Sequence, residues 1–144
     1  MVRLKHRYII CQCLHDPMKQ GNSDDDEYNA IDLKQQILEK MLQLWGDMIC
    51  SSGLTIKGFD YANKTFAIRI SRDLEIQIRM ALSSITHIKK KKLTIRILIV
   101  AGSSRMCLMK YRDIMQISIA QQSTENERNK QQEYYKKFFE SLEL

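Results

Sequence analysis

The residue pattern predicts an α+β domain of ferredoxin-like order, β-α-β-β-α-β, extended by two additional C-terminal helices. Three observations predict it. Four stretches alternate apolar and polar residues or run apolar, as strands do, and four others repeat apolar residues at helical spacing. The first six of these segments follow the order of the split βαβ unit. The first strand also turns apolar on both sides after a basic start, so it needs cover on both faces and belongs in the middle of a sheet. Two helices of the unit cover one face, and the extra helices are free to cover the other.

The first strand runs from Met1 to Leu14. Alternation puts Arg3, Lys5 and Arg7 on one side and Val2, Leu4 and Tyr8 on the other. From Tyr8 onward, Ile9, Ile10, Cys11, Cys13 and Leu14 make its interior. His15 to Glu27 reads as a loop with Pro17, Gly21 and the acidic run Asp24-Asp25-Asp26-Glu27. Acids just ahead of a helix are favoured by its dipole, a sufficient reason for them without a metal. The helix follows on Ile37, Leu38, Met41, Leu42, Trp45, Met48 and Ile49, and Gly53 closes it.

Leu54 to Asp60 and Thr65 to Ile70 form two strands joined by a turn at Tyr61-Ala62-Asn63-Lys64. Phe66, Ile68 and Ile70 share one face of the second, and Thr65, Ala67 and Arg69 the other. Ser71 is placed to cap the next helix, with Asp73 and Glu75 in its first turn. Leu74, Ile78, Ala81, Leu82, Ile85 and Ile88 supply its buried stripe. Four lysines lead to the last strand, Leu93 to Ala101. Gly102-Ser103-Ser104 then breaks the chain and caps a third helix, from about Arg105 to Gln121, with a broad apolar surface of Leu108, Tyr111, Ile114, Met115 and Ile119. A polar gap precedes the last helix, with Tyr134, Tyr135, Phe138, Phe139 and Leu142 on one side. The expected division is residues 1–121, a ferredoxin-like domain with its third helix, and residues 122–144, a C-terminal helix packed on that domain or on a partner.

A chain of 144 residues suits one domain able to bury roughly 68–70% of its unfolded surface. Net charge is +6 and the pI is about 9.2, compatible with a polyanionic partner. The acids gather at Asp24–Glu27 and near the C-terminus, so the remainder is more basic than the average. Cys11, Cys13, Cys50 and Cys107 form no C-x-x-C pair and read as reduced, buried thiols. The longest apolar run, Ile97 to Ala101, is far too short for a bilayer, and the charged N-terminal strand does not read as a signal peptide. The expectation is a soluble intracellular protein with no membrane contact.

Little in the chain reads as catalytic. His6, His15 and His87 enter no nucleophile–base arrangement, and no phosphate-binding G-x-x-x-x-G-K or metal-binding H-E-x-x-H occurs. No catalytic residue, metal ligand or protein-bound cofactor is expected. Three basic features point to nucleic acid instead: the row Arg3, Lys5 and Arg7 with His6; the run Lys89, Lys90, Lys91 and Lys92; and the turn Gly102-Ser103-Ser104-Arg105. At that turn, helix-start N–H groups, hydroxyls and a guanidinium could meet a phosphate. Each feature has an ordinary reading as solvated charge or helix cap; their shared sign favours a polyanion. Stacking of single-stranded bases, as in RNA-recognition motifs, would need aromatics displayed on the third strand, and Phe66 shares its face with core residues. Backbone and shape contacts to structured RNA fit better.

The opening Met-Val-Arg-Leu-Lys-His-Arg-Tyr-Ile resembles the start of the fifth Pop (processing of precursor RNAs) subunit of ribonuclease P and ribonuclease MRP. The stretch Val100-Ala101-Gly102-Ser103-Ser104-Arg105 resembles that family's Val-Ser-Gly-Thr-Ile-Arg segment. Val100, Gly102 and Arg105 match, and Ala101, Ser103 and Ser104 depart. The resemblance covers about residues 1 to 121. It implies a non-catalytic subunit that binds and stabilises a catalytic RNA, for 5′ maturation of precursor tRNA and processing of precursor rRNA. It further implies Mg²⁺ on the RNA rather than the protein, a TIM-barrel-like protein partner, other Pop subunits, indirect contact with precursor tRNA, and a place in the nucleus and nucleolus. The alternatives are a protein-interaction scaffold without RNA contacts and a small-ligand regulatory domain, which would need a polar pocket.

Overall fold

A computed structural model describes residues 5–15, 28–46, 53–60, 63–89, 91–121 and 125–142. Its elements are β1 (His6–His15), α1 (Ala30–Trp45), β2 (Thr55–Asp60), β3 (Thr65–Ser71), α2 (Glu75–Ser84), β4 (His87–Ile88), β5 (Lys91–Ala101), α3 (Ser104–Ala120) and α4 (Glu125–Leu142). The sheet order is β2-β3-β1-β5-β4 with every pairing antiparallel. Apart from the two-residue β4, this is the ferredoxin-like order, and the fold class is the one the sequence predicts.

β1 is central and enclosed on both sides, with Ile9 and Ile10 both at 0% exposure. Ile9, Cys11 and Cys13 join a core with Leu33, Ile37 and Met41 of α1 and Ile78 and Leu82 of α2. Ile10 faces a second core with Ala67 and Ile99 of the sheet, Cys107, Tyr111 and Met115 of α3 and Phe138 of α4. Phe138 meets Tyr111 edge to face at 5.3 Å, and the Arg112 guanidinium lies 5.1 Å above the Phe139 ring. So the extra helices cover the second sheet face, though Leu14 at the far end is 42% exposed rather than interior. Phe66 is fully buried under α1 and α2. The side chains of Tyr134, Tyr135 and Leu142 lie outside the described residues.

Several boundaries differ from the sequence expectation. Asn29 caps α1: its side chain accepts from Asp32 N–H at 3.0 Å, and the Asp32 carboxylate accepts from Asn29 N–H at 3.1 Å. The acids at 24–27 lie outside the described residues. α1 stops at Trp45, not near Gly53, because Gly46 turns at φ +84° while its N–H still bonds Leu42 O. Met48, Ile49 and Cys50 are outside the described residues. Ser71 makes no side-chain cap; a single 3-10 turn, Arg72–Leu74, precedes α2. The Arg72 N–H bonds Lys5 O instead, at 2.9 Å. Ile88 is not helical. α2 ends at Ser84, where Ser83 and Ser84 donate back to Arg79 O and Met80 O, and Ile88 is buried in β4.

Tyr28 seals the far end of the first core. Its hydroxyl lies 2.9 Å from His15 Nε2, the two rings stack, and Lys64 sits over the tyrosine ring. Burial, then the Lys64 and Lys91 charges, hold the His15 pKa below its ordinary value. Folding therefore favours neutral imidazole, which can accept the Tyr28 proton. The unfolded chain takes up a proton near pH 6.5 while the folded chain resists it, so the His15 contribution is complete above that pH and fades as pH falls through it. Thermal melts between pH 7.5 and 5.5 should show a decline for the native chain that is shallower for His15→Gln. Equal slopes would show that His15 is not coupled to folding.

Candidate nucleic-acid interface

The register of β1 decides which basic features meet. Tyr8 pairs with Ala101 and His15 with Leu93, so the start of β1 lies beside the end of β5 and the start of α3. The Arg7 guanidinium rests against the Gly102 turn: a Cβ built on Gly102 would lie 3.0 Å from Arg7 Nη1. Gly102 thus leaves room for a cation beside the turn. Arg7 is not simply solvated, because its Nε is 3.5 Å from the Glu75 carboxylate at the start of α2, with both side chains about a quarter exposed. That pair fixes the guanidinium and offsets part of its charge.

At the turn, Ser103 caps α3. Its side chain accepts from Met106 N–H at 3.2 Å, and its carbonyl accepts from Cys107 N–H. The hydroxyl is thereby committed as a helix cap, although it keeps a proton to donate. Arg105 is exposed on the first turn, where the helix dipole is positive. Lys5 is exposed at the entrance to β1, its carbonyl held by Arg72, and His6 is half-buried. Arg3 lies outside the described residues.

Two cations join this end that the sequence reading did not select. Lys57 sits where β2 bulges, between the pairs Ile56–Ile68 and Gly58–Ala67. The bulge aims it into a small depression with Tyr8, Ala67, Ser104, Cys107 and Leu108. Arg69 pairs with Tyr8 across β1 and β3, and its Nε is buried with no hydrogen-bond acceptor among the described residues. No local motif marks either residue. Both are found only through cross-strand register.

The lysine run is elsewhere and is not an open loop. Lys91 and Lys92 are the first residues of β5 and pair with Ile88 and His87. Lys89 makes the tight turn at φ +52°, and its Nζ is 3.1 Å from the Asp32 carboxylate. That carboxyl is held below its ordinary range by the Asn29 N–H and by Lys89. Lys90 lies outside the described residues. The run sits beside His15, about 23 Å of strand from Tyr8 at ~3.3 Å per residue. One cationic end therefore gathers Lys5, His6, Arg7, Gly102, Ser103 and Arg105, and the lysines form a separate patch. Among the described residues, no group of His, Cys, Asp or Glu side chains could hold a metal ion, and no helix is long and apolar enough to cross a membrane.

Residues 7–112 match the model of the Rpp14/Pop5 family. The chain belongs to that family. The Rpp14/Pop5 match takes in both halves of the cationic end, from Arg7 to Arg105, and stops within α3. A curated relative, ribonuclease P protein component 2 of Archaeoglobus fulgidus, is 29% identical over 82 residues, spanning 57% of this chain and 73% of the relative. A chain in the cryo-EM structure of yeast ribonuclease MRP aligns with a TM-score of 0.49 and 13% identity, covering 82% of this chain and 96% of that one. α4 lies beyond the family match, and it contributes Phe138 to the second core.

Proposed function

We propose that this Rpp14/Pop5 chain is a non-catalytic protein subunit of ribonuclease P or ribonuclease MRP that binds and stabilises the catalytic RNA. The observation that carries the RNA contact is the meeting of Arg7 with the Gly102–Arg105 helix start; Lys57 and Arg69 add charge at the same end of the sheet, on its Tyr8 side. A guanidinium held against a rigid sheet loses less freedom on binding than one on a free tail. Guanidinium groups and helix-start N–H groups suit phosphate oxygens. The face used elsewhere for base stacking is covered by α3 and α4, which favours contacts to backbone and shape.

In this reading, the RNA performs the cleavage with its own Mg²⁺, and the chain holds the RNA's structure. A TIM-barrel-like subunit and other Pop subunits are its protein neighbours, precursor tRNA is met indirectly, and the complex works in the nucleus and nucleolus. Residues 1–121 form the RNA-binding unit, and residues 122–144 brace it. The test is to purify the tagged protein gently and sequence the RNA that accompanies it. Ribonuclease P or MRP RNA should be enriched, and nuclease-free protein with Mg²⁺ alone should leave precursor tRNA intact. Recovery of protein partners without RNA after crosslinking would instead favour the scaffold alternative. Specific 5′ cleavage by the protein alone would refute a non-catalytic role.

A further inference from the structure

Among the described residues, the outer edge of β5 is open. β4 pairs with it only at Lys91 and Lys92, and the Leu93 N–H bonds Thr86 O. From Thr94 to Ala101, no strand lies on that side among the described residues, and a bulge at Leu98, between the pairs Cys11–Ile97 and Ile10–Ile99, leaves Thr94 to Ile97 as its regular part. Unpaired backbone donors and acceptors in a row are a template for another strand. Arg96 is the one charged residue in that stretch. Beside the edge runs a groove of about 430 Å³, walled by Ile76, Arg79, Met80, Ser83 and Ser84 of α2 and by Ile97 of β5. Ile76 is 69% exposed and Met80, one turn on, 54%.

We propose that this edge and groove bind an extended segment of a partner protein in which apolar and acidic residues alternate. An added strand would take its main-chain hydrogen bonds from β5, and its side chains would point alternately to the two faces. Those beside Ile97 enter the groove and cover Ile76 and Met80. Those beside Thr94 and Arg96 emerge on the opposite face, where Arg96 is exposed and offers a charge partner. Arg79, exposed at the groove, favours acid at its margin as well. A second copy of this chain fits poorly, because pairing β5 with itself sets Arg96 side chains on the same face of neighbouring strands, and like charges there repel. RNA also fits poorly, since the groove walls are largely aliphatic. Nothing in this inference depends on RNA contacts at the other end of β1.

The probe is a fluorescein-labelled nine-residue peptide of alternating valine and glutamate, compared with a peptide of identical composition in which the two residues are grouped in blocks. Anisotropy should show saturable binding of the alternating peptide and at least tenfold weaker binding of the blocked one. Amide exchange in β5 from Thr94 to Ile97, ahead of the bulge, should slow in the complex. Met80→Asp alters an exposed side chain, so the fold should persist, and binding should weaken at least tenfold. Arg96→Glu should also weaken it and shift preference toward an alternating valine–lysine peptide. Absence of binding, or equal binding of the two glutamate peptides, would overturn the proposal. So would self-association abolished by Met80→Asp, which assigns the edge to a second copy, or full displacement by oligouridylate, which assigns it to RNA.

Discussion

Tyr111→Ala should destabilise the protein by about 3–5 kcal/mol, the range for removing a fully buried aromatic side chain. Tyr111 is 0% exposed and sits at the centre of the second core, against Phe138. Its loss leaves a cavity between the sheet and both C-terminal helices, and α4 loses the ring that Phe138 packs on. A melting temperature lower by roughly 10–20 °C is expected for a domain of this size. Limited proteolysis should release α4 earlier than in the native chain, while the β1–β3 amides stay protected. Tyr111→Phe should lose far less, because the ring remains. A Tyr111→Ala protein that melts within 2 °C of the native one would mean that α3 and α4 do not share a core with the sheet.

Loss of the cationic end should have the largest effect on function. Arg7→Ala with Arg105→Ala should weaken binding of the proposed RNA partner by roughly 15- to 30-fold at 0.15 M salt, if each cation contributes one phosphate contact. The log–log salt slope should flatten by about 0.7–0.9 per contact. The same double change at Lys91 and Lys92 should cost less, because those residues lie at the opposite end of the sheet. Gly102→Ala separates placement from charge: it removes no cation but makes the Arg7 guanidinium give way by a few tenths of an ångström. It should weaken binding by a few-fold with an unchanged slope. Thermal melts must accompany each variant, since Arg7 also pairs with Glu75. If the Arg7 and Arg105 variant stays folded with native affinity and slope, the cationic end is merely solvated.

The architecture was legible because strand and helix periods differ and because β1 becomes apolar on both sides. Ile9 and Ile10 as neighbours in a strand already require two covered faces. Boundaries were less legible where backbone geometry overrides periodicity. Met48 and Ile49 continue the α1 spacing, yet Gly46 turns out of the helix. Ser71 resembles a cap in sequence, but the chain first makes a 3-10 turn tied to Lys5. At the candidate interface, Arg7, Gly102 and Arg105 were visible from residue type, but their meeting depends on antiparallel register. Lys57 and Arg69 were missed because a bulge and a cross-strand pairing place them there. The lysine run suggested a loop because composition carries no sign of the β4–β5 pairing that takes up Lys91 and Lys92.

β1 is synthesised before either strand that encloses it. Its neighbours are β3 on one side and β5 on the other, so Ile10 cannot find Ile99 until the ribosome has delivered most of the domain. Until then, both edges of this apolar strand stand open while the chain lengthens. Long-range antiparallel closure is slow, and such edges invite pairing with other nascent chains. Lys5, His6 and Arg7 put charge at the entrance to β1, the kind of placement that discourages such pairing before the sheet closes. A ribosome-arrest series should show β1 protected from protease only after β5 has left the exit tunnel.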